Sequence, residues 1–176
     1  MPAATHGARL PVSGRSFPLD FALISFLIVD DQPFTRRLVR SILHGFGSRE
    51  VYESATGAEA LELARSTMPN IIITDLIMPD LNGLKFIKML KAPSATTRLI
   101  PIIVLSGHLT KTAALGVNES GVDELLVKPV SPKALYEHVS RIVLRKNQAN
   151  PPMAFVQNQR RRAELHKKKA GDLALL

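Results

Sequence analysis

Residues 24–31 read Ile-Ser-Phe-Leu-Ile-Val-Asp-Asp, an apolar run that stops on two aspartates. Three later apolar runs end in the same way, on Asp75, on Ser106 and on Lys128-Pro129. Short, nearly continuous apolar runs are typical of strands buried on both faces of a parallel sheet. In such a sheet, binding and reaction sites lie beyond the carboxyl ends of the strands. The sequence therefore predicts one site built from these four strand ends.

Amphipathic segments separate the apolar runs. The expected strands are 24–29, 51–54, 71–74, 100–105 and 124–127. The expected helices run from about Pro33 to Gly45, Thr56 to Arg65, Leu84 to Lys91, Lys111 to Asn118 and Ser131 to Arg145. Thr56 and Glu59 have the spacing of a capping box. Strand and helix alternate five times, which predicts an α/β fold with a doubly wound parallel sheet and helices on both faces.

Composition limits the function classes. The chain has 176 residues, enough for one domain with a proper core. It has no cysteine, which excludes disulfides, thiol chemistry and cysteine-bound zinc, and suits a cytoplasmic location. The net charge is +8, but residues 21–144 carry 13 Lys and Arg against 12 Asp and Glu. Residues 145–176 carry eight basic residues against two acidic ones, so the basicity belongs to the C-terminal end.

Three parts of the chain are expected. Residues 1–22, rich in proline and glycine, predict a mobile leader. Residues 23–146 form the folded body. Residues 147–176 form a basic tail that is disordered or becomes ordered on a partner. The apolar run 21–29 is too short to cross a bilayer and has aspartates on both sides, so we expect neither a membrane span nor a signal peptide.

The polar residues at the strand ends permit one kind of chemistry. Asp30, Asp31 and Asp75 form a candidate site for a hard cation such as Mg²⁺, which prefers carboxylate oxygens. A carboxylate such as Asp75 can also act as a nucleophile. Lys128 supplies a positive charge and Ser106 a hydroxyl donor to a phosphoryl group. Each motif alone is more often a structural turn, and the prediction depends on their occurrence together on successive strands.

Together these segments resemble the receiver domains of two-component response regulators, the CheY-like family. The resemblance spans roughly residues 24–145. It rests on the strand and acidic pair at 27–31, the segment 73–80 around Asp75, Asn82-Gly83, Leu105-Ser106-Gly107 and Val127-Lys128-Pro129. It implies a flavodoxin-like (βα)₅ fold with the strand order 2-1-3-4-5.

The resemblance also implies a phosphorylation switch. Asp75 would accept a phosphoryl group from a phosphohistidine of a sensor histidine kinase or histidine phosphotransfer protein. Asp30, Asp31, Asp75 and the backbone carbonyl of Ile77 would hold Mg²⁺, or alternatively Mn²⁺. Lys128 and Ser106 would grip the phosphoryl group, and the Lys128–Pro129 peptide bond would be cis. Such a protein is not a classical enzyme, and its own catalysis is limited to phosphotransfer and autodephosphorylation.

One position departs from the family pattern. The family usually has an aromatic residue three positions before the lysine, and this chain has Leu125 there. Drawing Ser106 inward would shift the face made by the fourth helix, fifth strand and fifth helix. The phosphorylation chemistry does not need the aromatic residue. Leu125 therefore leaves open whether this chain uses the family's aromatic readout and output face. Separately, His108 near the rim of the site is a candidate for tuning access.

Several alternatives stay open. The resemblance ends near residue 145, so the protein is expected to be a stand-alone receiver that contacts an unknown downstream protein, with dimerisation open. A phosphorylation-independent adaptor is the first alternative. The basic tail offers binding to nucleic acid or another anionic surface, although nucleic acid is disfavoured because Phe155 is the only aromatic residue there. A haloacid dehalogenase-type hydrolase is disfavoured because Ile77 stands where that family has a second aspartate.

Overall fold

The computed structural model describes residues 19–79, 83–107 and 121–149, with side chains described as far as residue 146. The strands are β1 (Ser25–Val29), β2 (Glu50–Ser54), β3 (Ile71–Asp75), β4 (Ile102–Ser106) and β5 (Glu124–Val127). The helices are α1 (Pro33–Gly45), α2 (Gly57–Thr67), α3 (Gly83–Lys91) and a C-terminal helix (Pro132–Ala149). The helix expected near 111–118 lies outside the described residues.

The five strands form one parallel sheet in the order β2-β1-β3-β4-β5, which confirms the predicted fold. The chain moves from β1 outward to β2, returns past β1 to β3 and then continues in the opposite direction. This reversal is the topological switch point of a doubly wound sheet. The carboxyl ends of β1 and β3 lie side by side there, and these are the two strands that end at the aspartates.

Side chains of the central strands alternate between two apolar layers, as a two-residue period requires. One layer packs the sheet against α1 and the C-terminal helix, and its buried members include Phe26, Ile28, Ile73, Val39, Leu43, Leu135 and Val139. The other packs it against α2 and α3, and includes Leu27, Val29, Ile72, Val104, Ala60, Leu61, Phe86 and Ile87. β1, β3 and β4 are buried along their whole length, which explains their continuous apolar sequence.

The helix starts follow the expected local chemistry with one modification. The Thr56 side chain accepts a hydrogen bond from the backbone N–H of Glu59, as in a capping box. The Ser54 hydroxyl donates to the Glu59 carboxylate at 2.7 Å. The Ser54 hydroxyl oxygen in turn accepts a hydrogen bond from the Thr56 N–H. Ser54 therefore stands between Glu59 and the N–H that the glutamate of a capping box usually binds directly. Ser131 caps the C-terminal helix through the N–H of Ala134.

Several element boundaries differ from expectation by one to four residues. β4 begins at Ile102 and not at Ile100, because Pro101 has no N–H to donate and the N–H of Ile100 closes a turn onto the Thr97 carbonyl. The C-terminal helix continues past Arg145 to Ala149. Within the described ranges, no helix combines the length and the apolar character needed to cross a membrane.

The segment before β1 belongs to the packed body. Phe21 lies in a short 3-10 helix capped by Asp20 and is only 2% exposed. Its ring lies 4.9 Å from that of Phe46 and 5.7 Å from that of Tyr136. The packed body therefore begins before the boundary expected at residue 23, because Phe46, directly after α1, and Tyr136 of the C-terminal helix pack against Phe21.

Candidate functional site

The polar residues that follow the strands meet at one edge of the sheet. Asp30 directly follows β1, Asp75 ends β3, Ser106 ends β4, and Lys128 directly follows β5. Asp75 is paired in register with Leu105, and Ser106 with Val127. Because these four strands are consecutive in the sheet, parallel pairing brings their carboxyl ends together.

Lys128 bridges two of the carboxylates. Its Nζ lies 2.8 Å from Asp30 Oδ2 and 2.6 Å from Asp75 Oδ2. Burial favours the neutral amine, but the hydrogen bonds and charges of Asp30 and Asp75 outweigh it and raise the pKa of Lys128 above its ordinary value. Lys128 is therefore a fixed positive charge between Asp30 and Asp75 at neutral pH.

A third carboxylate lies close to the two that Lys128 binds. Asp30, Asp31 and Asp75 each offer an oxygen such that all three oxygens lie within 4.8 Å of one another. Asp30 is fully buried and Asp75 is 6% exposed. Asp31 Oδ1 is buried and has no hydrogen-bond partner among the described residues. A buried, unpartnered carboxylate oxygen beside two further carboxylates fits a hard divalent cation, which would supply the missing contact.

Backbone donors hold the two carboxylates that Lys128 binds. The N–H of Gln32 donates to Asp30 Oδ1 at 2.8 Å, and the N–H of Ile77 donates to Asp75 Oδ1 at 3.1 Å. Each carboxylate thus has one oxygen on a turn N–H and the other on Lys128. These contacts limit rotation of both groups, so the site is largely organised before any ligand binds.

Gly83, the first residue of α3, packs against the backbone that directly follows Asp75. The Gly83 N–H donates to the Leu76 carbonyl at 3.0 Å. A Cβ atom at Gly83 would lie 2.6 Å from both the Leu76 Cα and its carbonyl oxygen, closer than any side chain tolerates. Glycine is therefore required where α3 starts against the loop that carries Ile77.

The remaining predicted residues lie around this centre. Ser106 is 7% exposed, and its carbonyl accepts from the Lys128 N–H at 2.8 Å. The Lys128–Pro129 peptide bond is cis, as expected. Leu125, at the departing position, is half-buried against the layer that holds Val104. Asp80, Asn82 and His108 lie outside the described residues.

A contact from α1 escaped the sequence analysis. Arg36 Nη1 donates to the Asp30 carbonyl at 2.6 Å, and Arg36 Nε lies 3.7 Å from Glu53 Oε2 on β2. β2 ends in no predicted site residue, yet Glu53 contributes indirectly. The four-residue spacing of Arg36 and Arg40 was the available clue, because it places both on the face of α1 toward Glu53, which also binds Arg40 at 2.7 Å.

A family model described as the response regulator receiver domain matches residues 26–140. The chain belongs to this family. Receivers act as phosphoacceptor switches and not as classical enzymes, and the family binds Mg²⁺ at an acidic pocket. This chain has a cluster of three aspartates, described above. The predicted family is thus confirmed.

Several known receivers are similar to this chain. The chemotaxis protein CheY1 of Helicobacter pylori is 33% identical over 121 residues, covering 68% of this chain and 97% of that protein. The DNA-binding response regulator MtrA of Mycolicibacterium smegmatis is 33% identical over 129 residues, covering 71% of this chain and 52% of MtrA. The structure of the chemotaxis response regulator CheY4 of Vibrio cholerae matches with a TM-score of 0.63 at 30% identity, covering 68% of this chain and 98% of that one.

Proposed function

We propose that this receiver is a phosphorylation switch in which Asp75 accepts a phosphoryl group from a phosphohistidine of a sensor histidine kinase or histidine phosphotransfer protein. The observation that carries the proposal is the cluster of Asp30, Asp31 and Asp75, in which Lys128 Nζ lies 2.6 Å from Asp75 Oδ2. A nucleophile needs a nearby positive charge to approach an anionic phosphoryl group, and Lys128 provides one.

The transfer is balanced without any further reactant. A carboxylate oxygen of Asp75 forms a bond to phosphorus while the P–N bond of the phosphohistidine breaks. The electron pair of that bond goes to the imidazole nitrogen of the donor. Asp75 Oδ1 is held by the Ile77 N–H, which orients the carboxylate for attack through one defined oxygen. Lys128 is placed to follow the negative charge from the carboxylate to the phosphoryl oxygens.

The site would hold Mg²⁺ through Asp30, Asp31, Asp75 and the backbone carbonyl of Ile77, and Mn²⁺ is an alternative occupant. When bound, the cation supplies neutralisation of phosphoryl charge. The chain's own contribution is to keep the three carboxylates together against their mutual repulsion. Lys128 and the turn N–H groups of Gln32 and Ile77 do this for Asp30 and Asp75 in the contacts described above.

The output follows from the residues around Asp75. Ser106, at the end of the neighbouring strand, is the switch hydroxyl in this proposal, and Lys128 is its partner in gripping the phosphoryl group. Leu125 replaces the usual aromatic residue, so the inward movement of Ser106 would be reported by a smaller, aliphatic side chain. The proposed arrangement is a leader that ends before Phe21, a receiver that extends through the C-terminal helix, and a basic tail after Ala149. The protein would act as a cytoplasmic receiver that contacts a downstream protein.

The direct test is the intact mass of the protein after incubation with acetyl phosphate, with and without MgCl₂. We expect one added phosphoryl group in the wild type with MgCl₂, and none in Asp75→Ala or Asp75→Asn. Asp123→Asn is the matched acidic control, because Asp123 lies at the opposite edge of the sheet, and it should still be modified. Cation binding without an adduct, even from a histidine phosphodonor, would favour the phosphorylation-independent adaptor.

A further inference from the structure

Arg36 connects α1 to the turn that carries the acidic pair. Its Nη1 donates to the Asp30 carbonyl oxygen at 2.6 Å, a charge-assisted hydrogen bond. The Arg36 side chain is 17% exposed, so this contact is largely shielded from water. The Asp30 side chain is fixed independently by Lys128 and by the Gln32 N–H. Arg36 therefore adds a restraint on the backbone of Asp30 and not on its carboxylate.

That backbone restraint acts on the next residue. The Asp30 carbonyl and the Asp31 N–H belong to one rigid peptide plane. The contact of Arg36 with the carbonyl oxygen restrains this plane and the Asp31 Cα within it. The following peptide unit is restrained by the Gln32 N–H, which donates to Asp30 Oδ1. Together the two restraints set the direction in which the Asp31 Cα–Cβ bond leaves the backbone. Asp31 needs such help, because its Oδ1 is buried and has no hydrogen-bond partner among the described residues. The orientation of Asp31 thus depends on its backbone.

The guanidinium of Arg36 is itself held at its other end. Arg36 Nε lies 3.7 Å from Glu53 Oε2, and Glu53 Oε1 accepts from Arg40 Nη1 at 2.7 Å. Glu53 is 23% exposed and lies in β2, which is paired with β1 in register Ile28↔Glu53. The planar fork of an arginine can bridge two acceptors in a fixed geometry, which a lysine cannot. Arg36 thus ties the Asp30–Asp31 turn to the β2 edge of the sheet.

We infer that Arg36 is a positioning residue for the divalent-cation site: by fixing the Asp30–Asp31 peptide plane, it orients Asp31 toward the cation. The inference deepens the proposed function and rests on its cation site. Residues that orient metal ligands without touching the metal commonly change metal affinity by roughly 10–100-fold when they are replaced. For Arg36→Met we expect the lower end, about tenfold weaker binding.

The sign of the effect separates positioning from simple electrostatics. Arg36 is a positive charge next to a site for a positive ion. If it acted only through its charge, its removal would strengthen cation binding. If it positions Asp31, its removal weakens binding in spite of the lost repulsion. Arg40→Met is the matched control, because Arg40 has the same charge and the same Glu53 partner, but its side chain is 44% exposed and its described hydrogen bond goes to Glu53 and not to Asp30. We expect its affinity to stay within about twofold of wild type, as for an exposed, screened charge.

The experiment is a titration of the full chain with MnCl₂, in which the loss of the electron paramagnetic resonance signal of free Mn²⁺ gives the dissociation constant. Weaker binding by Arg36→Met but not by Arg40→Met supports the inference. Equal or tighter binding by Arg36→Met overturns it. Arg36→Lys should recover part of the affinity, because its ammonium can still donate to the Asp30 carbonyl. Equal weakening in both Arg36 variants with equal losses in melting temperature would assign the effect to packing and overturn the inference.

Two further results keep this inference distinct from the proposed function. At saturating MgCl₂, Arg36→Met should reach the wild-type rate of modification by acetyl phosphate, with only the half-saturating metal concentration raised, because Arg36 does not touch the reacting atoms. If the wild type binds Mn²⁺ but never gains a phosphoryl group, the proposed function is wrong. The MnCl₂ titration then still tests whether Arg36 positions Asp31. A wild type that does not bind Mn²⁺ would overturn both. If Arg36→Met does not fold, Arg36→Lys against Arg40→Lys decides, with weaker binding only in the former supporting the inference.

Discussion

Polar groups are arranged in opposite ways at the two ends of the parallel strands, which are called here the amino edge and the carboxyl edge of the sheet. At the amino edge, buried polar groups are satisfied: Asn70 Oδ1 accepts from both the N–H and the hydroxyl of Ser25, each at 2.9 Å. There, the carboxylate of Asp123 pairs with the ammonium of Lys91 at 3.3 Å. At the carboxyl edge, three carboxylates lie close together, Lys128 binds two of them, and Asp31 Oδ1 has no hydrogen-bond partner among the described residues.

The difference indicates what each edge is for. Satisfied polar groups contribute to stability and bring the strands into register. Clustered like charges with an unsatisfied oxygen cost stability, and such sites persist where function requires them. The same strands thus have one end that stabilises the fold and one end prepared for a ligand. If this division is correct, substitutions at the two edges should differ in size, in sign and in their dependence on divalent cations.

The largest effect is expected at the amino edge. Asn70→Ala removes the acceptor of two buried donors on Ser25, and each donor left unpaired costs about 1–3 kcal/mol. We expect the free energy of unfolding to fall by about 3 kcal/mol, equally with and without MgCl₂. Urea denaturation measures it. Ser25→Ala combined with Asn70→Ala should be less destabilising than the sum of the single changes. A loss that depends on MgCl₂ would contradict the division between the edges.

The next effect is specific to the carboxyl edge. A cation at 100 times its dissociation constant stabilises the native state by about 2.7 kcal/mol. We expect this gain on adding MgCl₂ to the wild type and its loss in Asp31→Asn. Asp123→Asn removes a carboxylate at the amino edge and should keep the full gain. Thermal or urea unfolding with and without MgCl₂ measures all three proteins. An equal gain in Asp31→Asn would place the cation elsewhere.

Without divalent cations, the sign at the carboxyl edge should reverse. Asp31→Asn removes one of three mutually repelling carboxylates, so we expect it to stabilise the metal-free protein by about 1 kcal/mol. Asp123→Asn should instead destabilise it, because Lys91 Nζ and the Ile102 N–H both donate to Asp123 Oδ2. Urea denaturation in the presence of EDTA gives both values. Destabilisation by both substitutions would mean that the two edges do not differ in kind.

Much of this arrangement follows from the sequence. The apolar runs that stop at Asp30, Asp75, Ser106 and Lys128 predict both the parallel sheet and the edge where the site lies, because a parallel sheet brings consecutive carboxyl ends together. Local signals such as the Thr56 cap also have the expected geometry. These predictions succeed because each depends on a residue type at the end of one element.

Other features depend on contacts between distant elements, which local patterns do not contain. The contacts of Arg36 with Asp30 and Glu53 require the relative placement of α1, β1 and β2. The burial of Phe21 depends on Phe46 and Tyr136, which lie 25 and 115 positions further along the chain. The missing partner of Asp31 Oδ1 is a property of the whole pocket. Sequence patterns therefore predict which residues form the site. Which polar atoms have hydrogen-bond partners can be read only from the folded structure.

The smallest expected effect tests the charge of Lys128. The contacts with Asp30 and Asp75 raise the pKa of Lys128 in the folded protein above its unfolded value, which is about 10.4. Its contribution to stability is therefore complete below the unfolded pKa and is lost as the pH rises through the folded pKa. In the metal-free protein, we expect a loss of less than about 1 kcal/mol as the pH rises above about 10.4, because Lys128 remains partly accessible to solvent. Lys128→Arg keeps its charge in this range and should lack this part of the decline. Urea denaturation across the alkaline range gives the free energy of unfolding of both proteins at each pH. If the two free energies fall in parallel, the contacts of the Lys128 ammonium with Asp30 and Asp75 do not stabilise the fold.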